Sequence, residues 1–166
     1  RLFFVDHQIL FQGQQNQMGE TALSGYLADF FTGTLPLLLA KLPVNYVLLH
    51  KEDQDKLVNS LGLQSSLSAV LHDLLNENSM QEIINSVRQS LNAWDIKYTN
   101  VMVQLPCDID SELKLGILKQ LSSQFERALI YFQIDNKLIG GLRIIADGKM
   151  YDYSWTRKIK NLIKLN

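Results

Sequence analysis

The dipeptide Asp147-Gly148, set between the short runs 141–146 and 149–153, constrains this chain more than any other feature. A two-residue hairpin turn needs positive φ at both central positions, which aspartate followed by glycine tolerates. The flanking runs therefore read as two antiparallel strands. Two more strands are expected upstream. Residues 98–105 alternate near their end, with Val101, Val103 and Leu105 on one side, and Pro106 stops them. Residues 129–134 are rich in β-branched and aromatic side chains. Between these two strands, Asp110 or Ser111 is placed to cap a helix that stacks Leu113, Ile117, Leu121 and Phe125 at steps of four. After the hairpin, Ser154 is placed to cap a last helix with Trp155, Ile159, Leu162 and Ile163 on one face. The expected order is β-α-β-β-β-α.

The preceding half reads as helical. Residues 1–17 begin apolar and end Gln-rich, as a segment and linker. Leu23, Leu27, Phe30 and Phe31 share a helical face, and the apolar stretch 22–42 reads as a buried helical hairpin with a break near Thr34-Leu35-Pro36. A second short helix over 35–42 ends before Pro43. Residues 46–49 are a short apolar run, helix or strand. Short helices are expected over 53–61 and 66–76, the latter with Leu67, Val70, Leu71, Leu74 and Leu75 on one stripe. Ser79-Met80-Gln81-Glu82 is a capping box, in which serine and glutamate satisfy each other's free backbone N–H groups. It opens a helix with Met80, Ile83, Ile84, Val87, Leu91 and Trp94 on one face. The fold class is α+β, divided into a segment 1–17, a helical domain 18–95 and a small α/β domain 96–166.

Charge and composition remove several functions. A formal net charge of -1 does not suit a nucleic-acid binder. Asp29, Gly33, Pro36 and Lys41 interrupt the most apolar stretch, so no transmembrane helix is expected. Cys107, the single cysteine, excludes an intrachain disulfide and reads as an inert, partly buried thiol. His7, His50 and His72 are far apart, with no partner at metal-ligand spacing. Lys51-Glu52-Asp53-Gln54-Asp55 lacks the glycine and final glutamate of a calcium loop and reads as a solvated helix start. Trp94 and Trp155 read as core or interface anchors. From Tyr153 onward the chain carries Arg157, Lys158, Lys160 and Lys164 and no acid. That edge is either a solvated face suited to a helix C-terminus or a surface for an acidic partner helix.

The segment Asp135-Asn136-Lys137-Leu138-Ile139-Gly140-Gly141-Leu142-Arg143-Ile144 resembles the signature of the delta subunit of F-type ATP synthases, called the oligomycin-sensitivity-conferring protein in mitochondria. In that family an aspartate, two variable residues and Leu-Ile-Gly-Gly precede an apolar strand. A tight turn, a short strand and Asp-Gly-Ser then lead into the last helix. Here the second part is Asp152-Tyr153-Ser154, with Tyr153 in place of the usual glycine. The resemblance covers about 70 residues, whose element order also agrees. Read physically, Gly140-Gly141 is a sharp strand entry with no phosphate involved, and Asp152 with Ser154 organises a turn and a helix cap.

The resemblance implies a non-catalytic peripheral-stalk (stator) subunit of a rotary F-type ATP synthase, without cofactor. It would tie the catalytic head, the alpha and beta subunits, to the b-type stalk helices of the membrane sector. The complex would sit at the cytoplasmic side of a bacterial inner membrane or the matrix side of the mitochondrial one. The partner surface is expected at Trp155, Lys158, Ile159, Lys160, Leu162 and Lys164. The helical half shows no motif of the family's six-helix head-binding bundle, so head binding rests on the family alone. The alternatives are a stator of a V/A-type, flagellar or secretion ATPase, or a small α/β enzyme or ligand-binding domain. The last would need a pocket with convergent polar groups, and no constellation in the sequence supplies one.

Overall fold

The computed structural model describes residue 25 and residues 28–63, 65–76 and 79–153. It is an α+β fold in which helices precede a four-stranded mixed sheet. A π-helical turn, Phe30–Thr34, runs directly into α1, Leu35–Ala40. A 3-10 turn, Tyr46–Leu48, and the helices α2, Lys51–Ser60, α3, Ser65–Leu74, and α4, Met80–Ala93, follow. The second half is β1, Thr99–Leu105, α5, Ser111–Gln124, β2, Ala128–Ile134, β3, Arg143–Ala146, and β4, Lys149–Asp152.

The expected break at Thr34-Leu35-Pro36 is absent. Thr34 and Leu35 both have right-handed helical dihedrals, and the helix passes through. Pro36 has no N–H to offer the turn before it. The wider π turn accommodates the loss, with the N–H of Leu35 bonded to the carbonyl of Phe30. The serine half of the capping box is present. Ser79 is the N-cap of α4, and its hydroxyl accepts from the N–H of Glu82 at 3.2 Å. Ile83, Ile84, Val87 and Leu91 are all buried along one side of that helix.

The sheet order is β2-β1-β3-β4. β1 and β2 are parallel, with Thr99 opposite Ala128 and Leu105 opposite Ile134. Parallel neighbours require a crossover, and α5 supplies it. β3 lies antiparallel to β1, with Val103 opposite Ile144, and β4 antiparallel to β3, with Ile144 opposite Tyr151. The hairpin is the expected one: Asp147 has φ 46° and Gly148 φ 83°. The Asp147 carboxylate also accepts from the N–H of Asn100 at 2.9 Å, which fastens the turn to β1.

Alternation along the strands gives the sheet two apolar faces. One carries Val101, Val103, Leu105, Ala128, Ile130, Phe132 and Ala146, packed on Leu118 and Leu121 of α5. The other carries Leu129 and Tyr131, which join Phe31, Leu35, Leu39, Ile83, Val87 and Leu91 from the helical half. The π turn and α1 pack directly on β2. One sheet thus closes two cores, and each fully buried Leu or Ile there contributes roughly 1.5–3 kcal/mol of burial free energy.

The face that α5 presents is not the stripe expected from the sequence. Leu113 is 58 % exposed, whereas Lys114, Leu118 and Leu121 are buried and Ile117 and Phe125 are half-buried. Steps of four advance about 400° around a helix with 3.6 residues per turn. A row at i+4 therefore drifts by roughly 40° per step, and its first member leaves the buried side. Asp110 is the N-cap, yet its side chain makes no cap hydrogen bond. Ser111 is turned instead toward the Lys41 carbonyl, at 3.5 Å. Cys107 is exposed, not partly buried, because it lies in the bend between β1 and α5.

Candidate partner surface and signature loop

The signature loop is built outward from the end of β2. The N–H of Asp135 donates to the Leu105 carbonyl at 2.8 Å, so the parallel ladder continues into the loop. The Asp135 carboxylate accepts from the N–H of Lys137 at 3.0 Å, and its carbonyl accepts from the N–H of Leu138 at 3.1 Å. This local turn buries Leu138 and leaves Ile139 61 % exposed. Gly141 has φ 72°, a conformation that side-chain-bearing residues rarely adopt. The chain reverses there and enters β3.

Arg143 is the feature the sequence did not reveal. Its guanidinium lies 3.8 Å from the Asp135 carboxylate and 3.6 Å from that of Asp152, and its Nη1 approaches the Gln104 amide oxygen at 3.4 Å. The two aspartates of the signature, separated in sequence, thus share one cation. All three side chains are mostly shielded, so the attraction is less screened than that of a surface pair. The spacing of Asp135, Arg143 and Asp152 was a signal for this cluster, because the hairpin register sets Arg143 directly opposite Asp152. Asp152 was expected to organise a turn with Ser154. Ser154 and the expected partner residues Trp155, Lys158, Ile159, Lys160, Leu162 and Lys164 lie outside the described residues.

Other polar groupings are dispersed. A cleft of about 450 Å³ opens between the end of α4 and the start of β1. Arg88, Asp95, Lys97 and Asp147 are among its lining residues, and Arg88 Nε donates to the Tyr98 hydroxyl at 3.3 Å. His72 pairs with Asp55 at 3.5 Å, and Glu52 and Asp53 stand exposed in the first turn of α2, as a solvated helix start should. Among the described residues no group of three His, Cys, Asp or Glu is placed to hold a metal ion, and no helix is long and apolar enough to cross a membrane.

A helical half on one face of a mixed sheet, a crossover helix on the other, and a signature loop closed on Arg143 together invite comparison with known proteins. The family model described as "ATP synthase delta (OSCP) subunit" matches residues 45–165. That match reaches back across α2 to α4, well beyond the segment carrying the signature. "ATP synthase subunit delta" of Rickettsia conorii (strain ATCC VR-613 / Malish 7) is 29 % identical over 131 residues, which cover 71 % of this chain and 70 % of that one. Its counterpart in Rickettsia rickettsii (strain Sheila Smith) is 27 % identical over 127 residues, 70 % of this chain and 67 % of the relative. That of Rickettsia typhi (strain ATCC VR-144 / Wilmington) is 24 % identical over 127 residues, 70 % and 68 % of the two chains. The chain belongs to the ATP synthase delta (OSCP) subunit family, the stator or peripheral-stalk component of the F-type ATP synthase.

Proposed function

We propose that this subunit is a non-catalytic tie whose C-terminal end grips a b-type stalk helix while its helical half meets the alpha and beta subunits of the catalytic head. The complex would lie on the cytoplasmic side of a bacterial inner membrane or the matrix side of a mitochondrial one. A stator has to resist torque, and that asks for protein–protein interfaces and a stiff body between them. The observation that carries the reading is the unbalanced basic run Arg157, Lys158, Lys160 and Lys164, with no acid after Asp152. Such a run steers an acidic helix and fixes its register more than it adds affinity. The sheet packed by both halves supplies the stiffness.

The test is association kinetics with the stalk subunit of the same synthase. Charge reversal at Lys158→Glu, Lys160→Glu and Lys164→Glu should slow association roughly tenfold at low salt and leave the fold intact. Added salt should shrink the difference, since exposed charges are screened over about 8 Å at physiological ionic strength. A folded triple variant that associates as fast as the parent would reduce the basic run to a solvated face.

A further inference from the structure

β4 is the edge strand of the described sheet and pairs there with β3. Burial holds it weakly: Lys149, Met150 and Tyr151 are exposed, and Asp152 is half-buried. At its carboxyl end the N–H of Tyr153 donates to the Leu142 carbonyl at 2.9 Å. Antiparallel rungs alternate between hydrogen-bonded and non-hydrogen-bonded pairs. The next rung, Arg143 opposite Asp152, is therefore one that the backbone leaves without ladder bonds. Side chains take over at that rung, and they do so across the whole described sheet. Gln133, Gln104, Arg143 and Asp152 stand in one register row, one from each strand. Gln104 donates through Nε2 to the Gln133 amide oxygen at 3.0 Å and accepts from Arg143 Nη1 at 3.4 Å. Arg143 in turn stands 3.6 Å from the Asp152 carboxylate and 3.8 Å from that of Asp135.

We propose that Arg143 is a mechanical clamp, which keeps the edge strand from being peeled off the sheet by a pull on its carboxyl end. The purpose of the clamp rests on the stalk reading, since a partner held by residues beyond Asp152 would load β4 at that end. A hairpin pulled open from its free end gives way rung by rung, so its first rungs set the resistance. Once the Tyr153 bond is lost, the rung that follows resists through the Arg143–Asp152 ion pair. Such a pair suits that place. A hydrogen bond weakens steeply once it is stretched or tilted, whereas Coulomb attraction falls slowly with distance and persists through several ångström of opening. Both aspartates and the arginine are mostly shielded, so little of that attraction is lost to solvent. Asp135 holds the same guanidinium from the loop after β2. A pull on Asp152 is thus passed to that loop and, through Gln104 and Gln133, to the two strands that carry both cores.

Force spectroscopy on the full chain tests it. With Cys107→Ser as background, one handle is attached at Glu126→Cys, exposed ahead of β2. The other is attached at Tyr153→Cys, just past the carboxyl end of β4, or at Lys149→Cys, at its turn end; both positions are exposed. A handle at Tyr153 loads the strand directly and bypasses whatever follows it. At constant load through Tyr153, Arg143→Met should raise the rate of forced unfolding on the order of tenfold. Through Lys149, where the turn end of the hairpin yields first, the change should stay below about twofold. Asp152→Asn keeps the bulk and loses the charge; it should reproduce the asymmetry, and it carries the test if Arg143→Met does not fold. Equal acceleration at both handles would make Arg143 an ordinary stabilising residue, and no change at Tyr153 would leave the ladder alone to set the force; either result overturns the clamp. Stalk association is measured separately, so either idea can fail alone.

Discussion

Lys114 Nζ donates to the carbonyl oxygen of Leu42 at 2.8 Å, across 72 positions of sequence and with the lysine only 2 % exposed. Leu42 lies two residues past the end of α1 at Ala40, and Lys114 lies on α5, so this contact joins the two halves of the chain. The Asp108 carboxylate completes it, 3.1 Å from the ammonium and accepting from the N–H of Val44 at 3.0 Å. The two ways of breaking it should differ. Asp108→Ala leaves a buried ammonium with one partner fewer and should cost about 2–3 kcal/mol, somewhat below a fully buried pair because Asp108 is partly solvated. Lys114→Met removes the charge and keeps the bulk, and should cost about 1–2 kcal/mol. Urea unfolding of both variants checks the order, and a costlier Lys114→Met would contradict it.

Two glycines should respond in opposite senses. Gly141 has φ 72°, so Gly141→Val should lose about 2 kcal/mol or more through backbone strain. Gly116 lies inside α5 with nothing within 4 Å of an added Cβ. Gly116→Ala should gain about 0.5–1 kcal/mol by favouring the helix. An unchanged melting temperature for Gly141→Val would show ordinary strand backbone at that position.

The chain was legible where local rules decide its structure. The Asp147-Gly148 turn, the glycine at the entry to β3 and the Ser79 cap each depend on neighbours within four residues. The misreadings all involve something farther away or a tie between two local options. Pro36 is a sound break signal, yet packing of Phe31 and Leu35 into the shared core keeps the helix running through a π turn. A lysine on an amphipathic helix reads as solvated, and nothing near Lys114 in sequence announces the Leu42 carbonyl. The Asp147-Gly148 turn sets Arg143 opposite Asp152, but the approach of Asp135 to the same cation needed the pairing of β3 with β1, which no local pattern announces.

Alkaline pH should weaken the helical half through Tyr46. Burial raises its phenol above the ordinary value of 10.0, and the charge of Asp55 adds to the shift. Its hydroxyl donates to the Gln54 carbonyl at 3.4 Å, while the Gln54 amide donates to the Tyr46 carbonyl at 2.9 Å. The folded state therefore holds this proton more tightly than the unfolded chain. The contribution is complete below pH about 10 and is lost as pH rises through the folded-state value. Tyr46→Phe should remove that part of the slope. Urea titrations between pH 8 and 11 check it, and a parent and variant that differ by a constant amount throughout would exclude a role for the phenol.

The isolated subunit should not turn over ATP. The sequence has no Gly-rich loop that follows a strand in the manner of a phosphate site and no arginine-finger context. A coupled assay on the pure chain should stay at background, and turnover of about 1 per second, within the range of ordinary enzymes, would contradict the stator reading.

A sheet shared by two cores has a thermodynamic meaning. Opening the helical half strips cover from Leu129 and Tyr131, and opening α5 strips it from Ile130 and Phe132, on the same strand. Neither half can be released without weakening the strand on which the other is built. The described body should therefore unfold as a single cooperative unit. In a calorimeter it should absorb heat in one transition, with van't Hoff and calorimetric enthalpies equal.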